Sequence, residues 1–140
     1  MDRAHYHKKL SINNNIDELK RVTLFLEDIE EDRIIDTTML FSLNLVMEEA
    51  ISNTILYGYK DDLSHLIEIL FDKSGDELLI TIIDDGCEYD PTAKADPDIT
   101  LSAKEREIGG LGIFLVKKIM DSITYQRREG KNFLILTKKI

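Results

Sequence analysis

The sequence has little cysteine and little positive charge, and it has no long hydrophobic run. Cys87 is the one cysteine in 140 residues, so no disulfide can form within the chain, and we expect a reducing cytoplasm. No apolar run approaches the roughly 18 residues of a membrane span, and the first residues lack the apolar core of a signal peptide. The net charge of −9 disfavours nucleic acid and anionic membranes as partners.

What is present indicates one globular domain over residues 1–140, since 43% of the residues are hydrophobic and the length suits one core. Alternating and Ile/Leu-rich stretches predict strands at residues 6–12, 66–71, 77–83, 122–128 and 132–138. Helical spacing of apolar residues predicts helices at residues 16–29, 37–57 and 112–121. Residues 85–106 look like a long loop with a helical turn near 102–105. This order predicts an α+β two-layer sandwich, a mixed and mostly antiparallel sheet with helices on one face.

The first motif with chemical content is Glu49-Ala-Ile-Ser-Asn53, in the second predicted helix. Residues four apart share a helix face, so the Glu49 carboxylate and the Asn53 amide converge on one spot. Phosphoryl transfer needs a group that accepts the proton of the attacking hydroxyl and an oxygen ligand for Mg²⁺, and these roles suit Glu49 and Asn53. Glu48 is rotated by roughly 100° and is predicted to face away. Taken alone, the motif also fits a solvated helix face.

The second motif is Asp84-Asp-Gly86, directly after a predicted strand. Ligands often bind at strand ends, and Gly86 allows a flat ligand to approach the backbone. The Asp84 carboxylate is predicted to accept a hydrogen bond from the exocyclic amine of adenine, which guanine lacks at that position. A plain turn is an alternative. A calcium loop is disfavoured because the acids do not have the spacing of that motif.

The third motif is Gly109-Gly110-Leu111-Gly112, ahead of a helix predicted to start near Ile113. Its backbone N–H groups and the positive end of the helix dipole suit phosphate oxygens. The motif is not a Walker A loop, because no Lys-Ser or Lys-Thr pair follows. It is not a dinucleotide fingerprint either, since it does not follow the first strand.

Together, the three motifs resemble the N, G1 and G2 boxes of the GHKL (Bergerat-fold) ATPases, which include gyrase, Hsp90, histidine kinases and MutL. Three longer strings are similar to those of the bacterial anti-sigma factor serine kinases: Asp84-Asp-Gly-Cys-Glu-Tyr-Asp-Pro91, Gly109-Gly-Leu-Gly-Ile-Phe-Leu-Val116 and Met120-Asp-Ser-Ile-Thr-Tyr125. The resemblance covers about residues 5–140.

The resemblance implies an ATP-binding serine protein kinase that phosphorylates a small STAS-type antagonist protein and sequesters a sigma factor. By the same resemblance, Glu49 is the catalytic base and Asn53 the Mg²⁺ ligand. The residues assigned to ATP binding are Asn53, Asp84, Gly86, Arg106, Gly109, Gly110, Leu111 and Gly112. A homodimer belongs to this expectation, and the strand at 6–12 is a candidate edge for pairing with a second copy.

The chain departs from the family pattern near the glycines. Ile108 stands where some relatives place an arginine that meets the γ-phosphate, and Arg106 is the nearest cation to replace it. Without such a cation, phosphate transfer would be slow while binding persists, because charge neutralisation is much of the catalysis. The alternative function is therefore a nucleotide-gated interaction module of the same fold with little kinase activity. His5, His7 and His65 are interpreted as ordinary surface or strand residues.

Overall fold

The computed structural model describes residues 5–93 and 110–140, which form a five-stranded sheet with a layer of helices. The strands are β1 (His5–Asn13), β2 (Leu66–Ser74), β3 (Glu77–Asp84), β4 (Ser122–Arg128) and β5 (Lys131–Lys139). They lie in the order β1-β2-β3-β5-β4, and each neighbouring pair is antiparallel. The predicted α+β class is confirmed, with a sheet that is antiparallel throughout its described strands. β1 is an edge strand, as predicted.

The helices are α1 (Leu19–Glu31), α2 (Thr37–Tyr57) and α3 (Gly110–Ile119). Polar caps fix where the first two begin. Asp36 Oδ1 accepts the Met39 N–H at 2.8 Å at the start of α2, and Asn15 Oδ1 accepts the Asp17 N–H at 2.9 Å in the 3₁₀ turn before α1. None of the described helices has the length and apolarity needed to cross a membrane.

Two tight hairpins join consecutive strands, and both require left-handed backbone. Gly75 has φ 63° in the turn between β2 and β3. Glu129 and Gly130 have φ 50° and 77° between β4 and β5, the pair of positive values that a type I′ turn needs. The strands predicted on either side of each turn are confirmed, and the two hairpins meet where β3 pairs with β5.

The core lies between the helices and one face of the sheet. On β3, Leu78, Ile80 and Ile82 are buried with at most 1% of their surface exposed. Because side chains alternate along a strand, the next inward position is Asp84, at the end of β3. The alternation that builds the core thus places a carboxylate under the helix layer.

The start of α3 differs from the prediction. The helix begins at Gly110 rather than near Ile113, so Gly110-Leu-Gly112 forms its first turn instead of a loop before it. The N–H groups of a first turn have no partner within the helix, so this turn still presents donors. The helical turn expected at residues 102–105 lies outside the described residues.

Candidate functional site

The C-terminal half of α2, the end of β3 and the first turns of α3 surround a cavity. Its apolar walls include Ala50, Pro91, Ile113 and Leu134, and its polar lining includes Asn53, Asp84, Tyr125 and Asn132. A larger hollow of about 630 Å³ lies elsewhere, between the end of β1 and residues 61–64, and contains none of the three motifs. The cavity under α2 therefore is the candidate site.

Asp84 is a buried carboxylate, 7% exposed, on the cavity wall. Its Oδ1 accepts the Gly86 N–H at 2.8 Å and Asn132 Nδ2 at 2.9 Å. Burial raises the pKa of Asp84 above its usual value, although these two hydrogen bonds partly oppose the rise. Within the described residues both donors use Oδ1, so Oδ2 remains for a donor on a ligand.

Asn132 is a site residue that sequence reasoning missed. It is 6% exposed and lies directly opposite Asp84 in the β3–β5 register. Its Nδ2 also donates to the Cys87 carbonyl at 2.8 Å, so one amide holds both ends of the turn formed by residues 84–87. The available signal was a lone amide at an inward position of a strand whose other inward residues include Leu134 and Leu136.

Arg127 completes this support from β4. Its Nη1 donates to the Gly86 carbonyl at 2.8 Å and to Asn132 Oδ1 at 3.1 Å, and the Tyr125 hydroxyl donates to the same Oδ1. Gly86 also packs so closely on the Gly58 carbonyl that an added Cβ would overlap it. The 84–87 turn is therefore fixed by β4, β5 and the end of α2, which pre-organises the Asp84 carboxylate.

Asn53 is 7% exposed and lines the same cavity. Its Nδ2 is buried and has no hydrogen-bond partner among the described residues. Leaving a buried amide unpaired costs about 1–3 kcal/mol, so a bound group that offers it a partner gains that much. This unpaired amide favours a polar ligand at the spot where the sequence predicted one.

Glu49 and the glycine turn meet. Glu49 is half-buried while Glu48 is exposed, as predicted from their rotation around α2. A Cβ added to Gly112 would overlap Glu49 Oε2, so the carboxylate lies directly against the backbone of the first turn of α3. A side chain there would displace the Glu49 carboxylate, and the first and third motifs form one site.

The structure thus brings together five of the predicted site residues: Glu49, Asn53, Asp84, Gly86 and Gly112. Gly110 and Leu111 share the first turn of α3 with Gly112. Arg106 and Gly109 lie outside the described residues. Cys87 is half-buried.

This fold and site define the class of protein as an ATPase-type domain of the GHKL kind. The family model described as "Histidine kinase-like ATPase domain" matches residues 12–138. The chain belongs to that family, and within it to the anti-sigma factor serine/threonine-protein kinases.

Three relatives support the assignment. The serine/threonine-protein kinase BtrW of Bordetella bronchiseptica is 32% identical over 97 residues, covering 69% of this chain and 68% of the relative. An anti-sigma F factor of Clostridium perfringens is 29% identical over 100 residues, 71% of each chain. The serine-protein kinase RsbW of Listeria monocytogenes is 28% identical over 102 residues, 70% of this chain and 64% of the relative.

A solved structure agrees on the fold. The crystal structure of the RsbU and RsbW domains of Rv1364c from Mycobacterium tuberculosis superimposes with a TM-score of 0.65 at 16% identity. The match covers 94% of this chain and 32% of the solved one.

Proposed function

We propose that this kinase transfers the γ-phosphate of Mg²⁺-bound ATP to a serine of a small STAS-type antagonist protein and that it sequesters a sigma factor. The observation that carries the proposal is the contact between the Glu49 carboxylate and the first turn of α3. That contact sets a proton acceptor beside backbone N–H groups suited to phosphate. The names of the relatives, anti-sigma F factor and serine-protein kinase RsbW, point to the same class of partners.

In this proposal, adenine lies in the cavity between the apolar walls and Asp84. The carboxylate accepts the exocyclic amine, and the Gly86 N–H fixes the direction of that carboxylate through its hydrogen bond to Oδ1. Phosphates extend toward α3, where Gly110, Leu111 and Gly112 supply N–H donors at the helix N-terminus. Gly109 and Arg106 are assigned to the same phosphates from the sequence, Gly109 as part of the glycine motif and Arg106 as the nearest cation to Ile108.

Asn53 is the proposed ligand for Mg²⁺. The amide oxygen Oδ1 would be the ligand atom, and the buried Nδ2, which has no partner among the described residues, would donate to a phosphate oxygen. Residues 5–93 and 110–140 contain no cluster of three or more His, Cys, Asp or Glu side chains suited to a metal. A single amide ligand suits Mg²⁺, which typically takes one or two protein ligands together with substrate phosphates. When bound, the ion neutralises charge on the transferring phosphate.

Glu49 is the proposed catalytic base. Its carboxylate accepts the proton of the substrate serine hydroxyl as the oxygen attacks the γ-phosphorus. The bond between the γ-phosphorus and the bridging oxygen breaks, and ADP leaves. Glu48 takes no part in this step, because it is exposed on another face of α2.

The partners in this proposal act in the cytoplasm, where a sigma factor meets RNA polymerase. The net charge of −9 gives nucleic acid and anionic membrane no role as partners. A homodimer remains part of the proposal, with β1, one of the two edge strands of the described sheet, as the candidate edge.

Incubation of the chain with γ-labelled Mg-ATP and a STAS-type protein from the same genome tests the kinase proposal. We expect label on a serine of the STAS protein. If ATP binds but no STAS protein from that genome is labelled, the chain is instead a nucleotide-gated interaction module.

Gly112→Ala provides a second test. The added Cβ overlaps the Glu49 carboxylate, so either Glu49 or α3 must shift. Misplacing a reacting group by about 1 Å can cost 10²-fold in rate, and we expect a loss of about that size in single-turnover transfer. Leu115→Ala is the control, since it alters an exposed residue of the same helix and should retain the rate. Equal rates in both variants would refute the close contact.

A further inference from the structure

His65 was interpreted from the sequence as an ordinary surface or strand residue, and the structure shows in addition that it links two carboxylates. Its Nε2 lies 2.8 Å from Asp61 Oδ1, and its Nδ1 lies 3.0 Å from Asp85 Oδ1. The side chain is only 17% exposed. Asp61 belongs to the segment after α2, and Asp85 is the middle residue of the second motif, so the imidazole joins two separate parts of the chain.

The geometry requires a charged ring. A neutral imidazole carries one N–H and can donate to one carboxylate, while its other nitrogen then faces an oxygen with no proton between them. The imidazolium donates to both Asp61 and Asp85. Consistent with this, the hydrogen bond to Asp61 is the largest of the effects that raise the pKa of His65.

The ring is held in this position from several sides. The backbone N–H of His65 donates to Asn14 Oδ1 at 2.9 Å, and the backbone N–H of Asn14 donates to the His65 carbonyl at 3.0 Å. The Tyr59 ring stacks on the imidazole, with centroids 4.6 Å apart and an interplanar angle of 27°. Because the ring is fixed, breaking one of the two bonds releases the segment that carries that carboxylate and leaves the imidazole in place.

The segment on the Asp85 side is the candidate adenine site. Asp85 lies between Asp84 and Gly86, and the Cys87 N–H donates to the Gly58 carbonyl at 2.6 Å. The link from His65 thus anchors the solvent side of the 84–87 turn, while Asn132 anchors its buried side. Two anchors define the direction of the Asp84 carboxylate better than one.

We propose that His65 is a positioning residue for nucleotide binding: its protonated ring fixes the 84–87 turn through Asp85, so that nucleotide affinity falls when rising pH deprotonates the ring. This inference rests on the proposed nucleotide site. As pH rises, the imidazolium loses one of its two N–H protons. The neutral ring can donate to only one carboxylate, and when it keeps the bond to Asp61, the link to Asp85 breaks and the turn is held less firmly. Acidification within the range where Asp84 stays ionised has the opposite effect.

Other titratable or charged groups surround the imidazole. They are Tyr59, Lys60 and Asp61 after α2, Glu68 on β2, Asp84, Asp85 and Cys87 at the end of β3, and Lys131 on β5. Of these, Asp61 and Asp85 are the ones bonded to the ring nitrogens within the described part of the chain. Both are acids, so the pair favours the protonated ring.

The test measures the dissociation constant for Mg-ADP by calorimetry from about pH 6 to about pH 8.5, for the wild-type chain and for His65→Gln. ADP and Mg²⁺ ionise identically in both titrations, so their contribution cancels in the ratio of the two constants. We expect the advantage of the wild type to shrink by about fivefold across this range, within the usual size of coupling between sites. His7→Gln is the matched control: that histidine also pairs with a carboxylate, Asp72, but on the outer face of the sheet, and the wild-type profile should persist.

Asp85→Asn separates the charge from the contact. The introduced amide can donate to Nδ1 of a neutral ring whose Nε2–H still donates to Asp61, so both links survive at high pH. We expect the ratio of the Mg-ADP dissociation constants of this variant and of His65→Gln to stay constant across the pH range. Parallel pH profiles for the wild type and His65→Gln would overturn the role proposed for His65 and would leave the proposed nucleotide site intact. A wild type that binds no Mg-ADP at any pH would overturn the nucleotide site as well.

Discussion

Glu49→Gln should lower phosphate transfer to the STAS-type protein by about 10²–10⁴-fold, the usual contribution of a general base. The amide keeps the size and the polar contact of the side chain against Gly112, so α3 has no reason to move. It cannot accept the proton of the attacking serine hydroxyl at neutral pH. Affinity for Mg-ATP should therefore stay within about threefold of the wild type, because the change acts on the transition state alone.

Glu48→Gln is the control for Glu49→Gln. It makes the same chemical change one residue away, on the exposed face of α2. Single-turnover transfer and calorimetric affinity should both match the wild type. Full transfer by Glu49→Gln would remove Glu49 from the role of base, and equal losses in both variants would point to a general effect of charge.

Asp84→Asn should weaken Mg-ATP binding by about 10²-fold. The amide oxygen can still accept the Gly86 N–H and Asn132 Nδ2, so the 84–87 turn keeps its internal bonds. The amide nitrogen then faces the exocyclic amine of adenine, and two donors oppose each other in a buried site. Affinity measured by calorimetry should fall while the thermal midpoint changes little.

Asp76→Asn is the control for Asp84→Asn. Asp76 lies in the hairpin between β2 and β3, where its 57% exposed side chain pairs with Lys139. Its amide variant should bind Mg-ATP as the wild type does. Undiminished ATP affinity in Asp84→Asn would mean that the carboxylate does not contact adenine.

A pH effect on the same contact has a definite sign. Burial raises the pKa of Asp84, and only the ionised carboxylate leaves Oδ2 without a proton, so that it can accept the adenine amine. Nucleotide affinity should therefore be lost as pH falls through that raised pKa. Deprotonation of His65 is expected to lower the affinity at the alkaline end of the pH range, whereas protonation of Asp84 lowers it at the acidic end. The two groups are therefore separable in one pH profile.

Local patterns were sufficient for most of the fold. The apolar spacing of α2 is a short-range signal, and the structure places that helix as predicted, with caps at Asn15 and Asp36 that also lie close to the residues they bond. The hairpin turns were equally visible, because Gly75 and Gly130 occur where positive φ is needed. Glu49 and Asn53 lie one helical turn apart, so their shared face followed from spacing alone.

The features that were missed depend on contacts between distant residues. Asn132 becomes a site residue because β5 pairs with β3 in a register that sets it opposite Asp84. His65 bonds to Asp85, which is 20 residues away. Glycine is a poor helix former, so propensity argued against α3 starting at Gly110. In the structure, Gly112 in that first turn lies against the Glu49 carboxylate.

The most direct test of the central claim, that this cavity is an adenine-nucleotide site, is a calorimetric titration of the wild-type chain with Mg-ATP and, separately, with Mg-GTP. A carboxylate at Asp84 accepts the adenine amine but meets a carbonyl oxygen in guanine, so the two ligands should differ strongly. We expect micromolar affinity for Mg-ATP and binding of Mg-GTP that is weaker by about 10²-fold. No binding of Mg-ATP, or equal affinity for the two nucleotides, would contradict the account.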